Sequence, residues 1–332
     1  VNDASTEGDQ YATAPGAAGN TGLSAASPLD SLQTLLQTYD LGAGDLVYVD
    51  TGAYTLSTNI VLGEDVSGSG DSEGERFRIV GATGGGTVID RGTTDFDSRP
   101  FVITGDFITL ENLTIRGGRF GVLATGDADG VTLRGLDVAG TSNAAIQFDN
   151  ATTGGLLDAV VVDGVTTAAR LEGSGHRVQG GAFLGSSTGL SIQGDHEVQG
   201  GLFYNNTGTG IDARDGAVLR EVRAFNNGSL GIRLFDSRLI DATVYGHDRS
   251  TSHAGVDARG NGTRIEGGRF FDNGVGLRLD GADAAGVRAF GNVGGISTGS
   301  LNSGWSSVIS DSHVYDNASY GIAGSSRLWT TI

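Results

Sequence analysis

The chain repeats itself at a nearly fixed step. GLSIQG begins at Gly189, GIDARD at Gly210, GIRLFD at Gly231, GVDARG at Gly255 and GLRLDG at Gly276, so the starts advance by 21, 21, 24 and 21 residues. Self-similarity at this period marks a solenoid of stacked units. Within each phrase apolar and polar residues alternate, the period of a strand and not of a helix. In the coil from Gly210 to Leu230, Ile211 and Ala213 face one way and Asp212 and Arg214 the other. A turn follows at Asp215-Gly216, a second extended stretch begins at Val218, and Val222-Arg223-Ala224-Phe225 forms a third. Asn226-Asn227-Gly228 then returns the chain to Gly231. Twenty-one residues leave no room for a helical crossover between parallel strands.

Other coils overlay this one. Gly121-Val122, Ala145-Ile146, Gly295-Ile296 and Gly321-Ile322 open further turns. The third extended stretch recurs as VQGGAF at Val178, VQGGLF at Val198, VRAF at Val222, IEGGRF at Ile265 and VRAF at Val287. Asn follows it at Asn205, Asn206, Asn226, Asn227, Asn273, Asn292 and Asn317. Asn tolerates left-handed backbone and bonds locally, so stacked corners would form an Asn ladder. These residues predict an all-β, right-handed parallel β-helix of about nine coils. The pattern resembles the right-handed β-helix proteins of the pectin-lyase-like superfamily. That resemblance implies a fold more than a function, since the superfamily holds lyases, glycosidases, epimerases, adhesins and tailspikes.

Residues 1–100 do not repeat and read as an N-terminal cap with the first irregular coils, while 101–332 read as regular coils of the same continuous domain. Leu32, Leu35, Leu36 and Tyr39 recur at helical spacing, with Asp30 or Ser31 as N-cap and Gly42 as stop. A helix here would cover the open end of the stack, where core and strand edge are otherwise bare. Strand-like pieces follow at Leu46–Val49, Ile60–Leu62, Phe77–Val80 and Thr87–Ile89. This order resembles the leader of secreted bacterial β-helix proteins, which implies an extracellular or cell-surface location. The chain starts at Val1 without Met and stops in an apolar stretch, which reads as a processed product or one module among neighbours in a longer chain.

Composition narrows the chemistry. With no Cys, disulfides and thiolate catalysis are excluded. A net charge of -18 argues against nucleic acid as a partner, and the lack of a long apolar run argues against membrane insertion. All 21 basic residues are Arg. The superfamily resemblance implies a catalytic Lys in several lyase and epimerase families, and this chain has none to offer.

The outward positions of the repeated strand form two expected ladders. One runs Gln147, Arg170, Ser191, Asp212, Arg233, Asp257, Arg278; the other runs Asp149, Glu172, Gln193, Arg214, Phe235, Arg259, Asp280. Alternating charge on adjacent strands stabilises a sheet by tenths of a kcal/mol per pair. The same Asp212, Arg214, Arg233, Phe235, Arg278 and Asp280 would also serve a glycan: guanidinium and carboxylate groups bond sugar hydroxyls and uronate carboxylates, and Phe235 offers a ring.

The 24-residue coil contains Tyr245-Gly246-His247-Asp248-Arg249-Ser250-Thr251-Ser252-His253. Extra residues in a solenoid emerge as a loop. Elimination or epimerisation at a uronate needs a base near its acidic C–H and a cation at its carboxylate. His247 and His253 (or Tyr245) are the candidate bases, with Asp257 beside them and Arg259 or Arg249 as neutraliser. The competing reading is a solvated polar loop. Asp65, Ser67, Ser69 and Asp71 place oxygen ligands at alternate positions, like the start of an EF-hand loop, but Arg76 stands where the closing Glu belongs. Ca²⁺ is the cofactor such a loop would take; a plain acidic loop is the alternative. Two functions therefore compete: a structural or adhesive surface module that binds a polysaccharide or cell-surface glycan, and a polysaccharide lyase, epimerase or glycosidase.

Overall fold

A computed structural model describes residues 1–248, 250, 252–299 and 306–324, and the backbone of 329–330. The chain is an all-β, right-handed parallel β-helix with three parallel sheets and, among the described residues, one short α-helix near its N-terminus. It divides into two compact units, Val1–Val165 and Thr166–Ile332.

In the first unit the helix spans Leu32–Thr38, with Ser31 as N-cap accepting the Thr34 N–H at 3.2 Å and Leu32 and Leu35 buried. Of the stripe predicted from spacing, Leu32 and Leu35 are buried and Leu36 is half-buried, while Tyr39 is the C-cap, so the helix ends before the expected stop at Gly42. The first sheet contains Leu46–Val49, Phe77–Gly81, Ile108–Glu111, Thr132–Arg134 and Leu156–Asp158. The second contains Gly52–Thr55, Thr87–Asp90, Thr114–Arg116, Asp137–Ala139 and Val161–Asp163, and the third Ile60–Leu62, Phe101–Ile103, Phe120–Ala124 and Ala144–Phe148. Tyr48 and Asp50, at the outer edge of the first strand, are bonded to Val1, so that edge is covered.

The second unit is more regular. Its third sheet holds the repeated phrases: Thr188–Gln193, Thr209–Arg214, Leu230–Phe235, Ala254–Arg259 and Val275–Asp280 pair in parallel and in register. Ile211, Ile232, Val256, Leu277 and Ile296 thereby stack in one buried column. Each such side chain is fully removed from water, which stabilises the coil by about 1.5–3 kcal/mol apiece. The second sheet contains Leu202–Tyr204, Arg223–Phe225, Thr243–Tyr245, Arg269–Phe271, Arg288–Phe290 and His313–Tyr315.

The corner between second and third sheets carries the expected ladder. Asn206 donates from its N–H and its side-chain amide to Asn227 Oδ1 at 3.1 and 2.9 Å; further along, Asn273 donates in the same way to Asn292 Oδ1, and Asn292 to Asn317 Oδ1. These amides satisfy backbone groups that the buried corner would otherwise leave unpaired. The ladder also explains the glycine that opens each phrase. A Cβ at Gly210 would lie 2.7 Å from Asn227 Nδ2 and 2.6 Å from Gly231 O, so no larger residue fits beside the stacked amides.

Candidate functional site

The predicted ladders form where they fall in the second unit. Arg170, Ser191, Asp212, Arg233, Asp257 and Arg278 are in register on the third sheet, and so are Gln193, Arg214, Phe235 and Arg259. Adjacent members lie about 4.8 Å apart.

The charged groups group into two copies of one unit. Asp212 accepts two hydrogen bonds from Arg214, both at 3.1 Å, and one from Arg233 at 3.3 Å. Two coils on, Asp257 accepts from Arg259 at 3.2 and 2.8 Å, and Arg278 lies 4.0 Å away. The Asp-x-Arg spacing makes this possible, because residues two apart on a strand share a face. Each aspartate holds its guanidinium in a fixed orientation, and these bonds raise the pKa of Arg214 and Arg259 further. The aspartates sit low and the arginines high. The Asp257 side chain is 3% exposed, whereas those of Arg214, Arg233 and Arg259 are 50%, 39% and 40% exposed.

Phe235 lies in register between Arg214 and Arg259. The result is a cleft of about 370 Å³ lined by Arg214, Arg233, Leu234, Phe235 and Arg259. Three guanidinium groups around an aromatic ring can hold an anion against an apolar surface. Asp280 departs from the expected strip: it is buried, and its charge reaches Arg259 without opening on the cleft.

Between the strands that end at Tyr245 and begin at Ala254, the described residues of the lengthened coil belong to no strand, and its two histidines part company. His247 is not on the loop surface. It is 1% exposed and occupies a rung of the Asn ladder, where Nδ1 accepts the Asn227 N–H at 3.1 Å and Nε2 faces Ala224 O at 3.3 Å. Burial pushes its pKa down to about 4, which leaves no accessible proton-transfer role. The signal that locates it is a second periodicity: Phe225-Asn226-Asn227, Tyr245-Gly246-His247, Phe271-Asp272-Asn273 and Phe290-Gly291-Asn292 share one aromatic-x-polar frame. Tyr245 is likewise a member of a stack and not a free loop residue; its ring lies 5.2 Å from Phe225 and 4.9 Å from Phe271.

His253 is different. It is partly exposed, with Nδ1 3.0 Å from Asp248 Oδ2. Ser252, beside it, accepts a hydrogen bond from Arg278 through its carbonyl at 3.2 Å, which ties the loop to the arginine strip. Arg278 therefore lies near both Asp257 and the His253 segment, whereas His253 and Arg259 stand at opposite ends of the strand Ala254–Arg259 and are not brought together; Arg249 lies outside the described residues.

The acidic stretch in the first unit has other engagements. Ser67 Oγ accepts the Asp106 N–H at 2.9 Å, and Asp71 holds Arg76 at 2.6 Å. Asp65 lies in a short 3-10 turn, and the Ser69 N–H donates to Glu75 O. Among the described residues no three His, Cys, Asp or Glu side chains are placed together to hold a metal ion.

No protein-family model matches the chain, and no curated protein sequence matches it. Among solved structures it is similar to the A-module of the mannuronan C-5 epimerase AlgE4 of Azotobacter vinelandii, with 16% identity over 87% of this chain and 91% of that one, at a TM-score of 0.55. It is similar also to the surface protein and adhesin PfbA of Streptococcus pneumoniae, with 10% identity over 88% and 95% of the two chains and a TM-score of 0.55. The Dettilon tailspike protein gives 12% identity and a TM-score of 0.63 over 84% of this chain, but only 62% of that one. At these identities the likeness is one of fold: the right-handed parallel β-helix.

Proposed function

We propose that this chain is an extracellular or cell-surface β-helix module that binds an acidic polysaccharide across the third sheet of Thr166–Ile332. The observation that carries the reading is the cleft walled by Arg214, Arg233 and Arg259 around Phe235. In a chain with 39 acidic and 21 basic residues, three half-exposed guanidinium groups lining one cleft with Phe235, held by only two aspartates beneath them, leave a local excess of positive charge. A uronate residue suits it: carboxylate against the arginines, apolar sugar face against the phenyl ring. Solved structures of like fold include a module of an enzyme named for mannuronan, which agrees with a glycan as ligand, and a surface adhesin, which agrees with a surface location.

A second reading is favoured by the Asp248–His253 pair. An imidazole oriented by a carboxylate, tethered through Ser252 to Arg278, is the arrangement a base needs beside a charge neutraliser. In this reading the same strip holds a substrate and His253 abstracts a proton from it.

Titration with a series of oligouronates separates the two. Phe235→Ala is expected to weaken binding about tenfold, by loss of the ring contact. Unsaturated or epimerised products that appear with the wild type and vanish with His253→Ala would establish the enzyme. Binding without turnover would establish the module, and no binding by any acidic oligosaccharide would overturn both.

A further inference from the structure

The second sheet of Thr166–Ile332 presents a separate outward face. Arg223, Thr243, Arg269, Arg288 and His313 stand in register along it. Two positions on, Tyr204, Phe225, Tyr245, Phe271, Phe290 and Tyr315 form a continuous stack, with ring centroids 4.8 to 5.2 Å apart and planes within 2° to 10° of one another. Rings stacked in this way cover one another's faces and turn their edges outward. Ring edges carry positive partial charge.

The arginines beside them are exposed, and among the described residues Arg223, Arg269 and Arg288 make no ion pair or side-chain hydrogen bond. Several arginines on other strands of this unit are held otherwise: Arg214, Arg238, Arg259 and Arg264 each grip a carboxylate, while Arg177 and Arg220 on the first sheet are exposed like those of the second. Arg269 and Arg288 are direct neighbours, and like charges on adjacent strands destabilise a sheet. Beside them lies a cleft of about 340 Å³ lined by Asp241, Ala242, Thr243, Arg269, Arg288 and the corner glycines Gly267, Gly268 and Gly286, with Asp241 its one carboxylate. Gly267 and Gly286 have φ of +67°, and side chains are missing where they would narrow the groove.

We propose that this face is a second binding strip, specific for a linear polyuronate whose carboxylates are met by Arg269 and Arg288 in turn, with Arg223 two coils away. Charge complementarity selects the occupant. Nucleic acid fits less well: ring faces needed to stack bases are already covered, and a net charge of -18 opposes so dense a polyanion. The strip shares no residue with the third-sheet cleft and does not depend on it.

Arginine-selective labelling of the whole chain, read by peptide mass spectrometry, tests this with polygalacturonate as probe. Labelling of Arg269 and Arg288 is expected to fall several-fold when the polymer is added, and the protection to fade with salt. The R269Q/R288Q variant is expected to melt no lower than the wild type, since a like-charge pair is removed, and to bind polygalacturonate about tenfold more weakly. Unchanged labelling of both arginines overturns the proposal. Protection confined to Arg214, Arg233 and Arg259 overturns it while supporting the third-sheet site, and no protection anywhere overturns both. Protection by an oligothymidylate but not by polygalacturonate also overturns it.

Discussion

His247 holds a place that Asn holds in neighbouring coils. Its ring bonds to Asn227 and Ala224 and passes the ladder on to Asn273, whose Oδ1 accepts the His247 N–H at 3.3 Å. A neutral imidazole fits this dry corner; a charged one does not, so its pKa falls from 6.5 to about 4. His176, stacked 4.9 Å from His196 at another corner, is also pushed to about 4, by burial and then by the neighbouring imidazole. The sign follows from proton uptake. Between pH 6.5 and 4 the unfolded chain binds protons that the folded chain refuses, so stability falls as pH falls through that window and is unaffected above it. Each such imidazole costs the folded state about 3 kcal/mol by the acid end. His247→Asn should therefore leave stability at pH 7 within about 1 kcal/mol of wild type and flatten its decline toward pH 4.5. Denaturant midpoints at the two pH values measure this, and an unchanged slope would contradict the buried-rung assignment.

At the level of the coil, the ladder and the opening glycine are one device. Asn227 bonds Phe203 O at 3.0 Å and accepts from both nitrogens of Asn206. Asn227→Ala would strand these buried groups and should cost about 2–4 kcal/mol. Exchange of the Asn206 and neighbouring amides should speed accordingly; protection equal to wild type would mean that the ladder holds little. Much of this element was legible in advance. Period-2 alternation gave the strand at Thr209–Arg214, and the Asn series gave the corner, because in-register stacking repeats side-chain identity as well as spacing. The helix at Leu32–Thr38 followed from its apolar stripe. The fate of His247 was not so plain, because a run of polar residues looks like a loop until the register fixes which rung each one occupies. The outward aromatic stack was missed for a related reason: one ring per coil has no meaning in local sequence and acquires it only across coils. The grip of Asp257 on Arg259 was half visible, since the Asp-x-Arg spacing places both on one face but says nothing of how deep the carboxylate sits.

Across the whole molecule, a strongly acidic chain sets exposed arginines in clefts on two faces of its second unit. Asp212 and Asp257 are the reason the third-sheet arginines stay in place: each orders a guanidinium before any ligand arrives, which lowers the entropic cost of binding. Loss of that order should be visible without loss of fold. Asp212→Asn keeps the side chain's shape and weakens its hold on Arg214 and Arg233, and it should reduce oligouronate affinity about threefold to tenfold while the melting temperature moves little. A variant that binds as tightly as wild type would remove the aspartate from the account. The most direct test of the glycan reading is a calorimetric titration of the protein with an oligouronate and with the same oligomer after its carboxyls are reduced to alcohols. The acidic form is expected to bind, and the reduced form to bind at least about tenfold more weakly, since the arginines around Phe235 would lose their charged partner. Equal affinities for the two forms, or binding by neither, would contradict it.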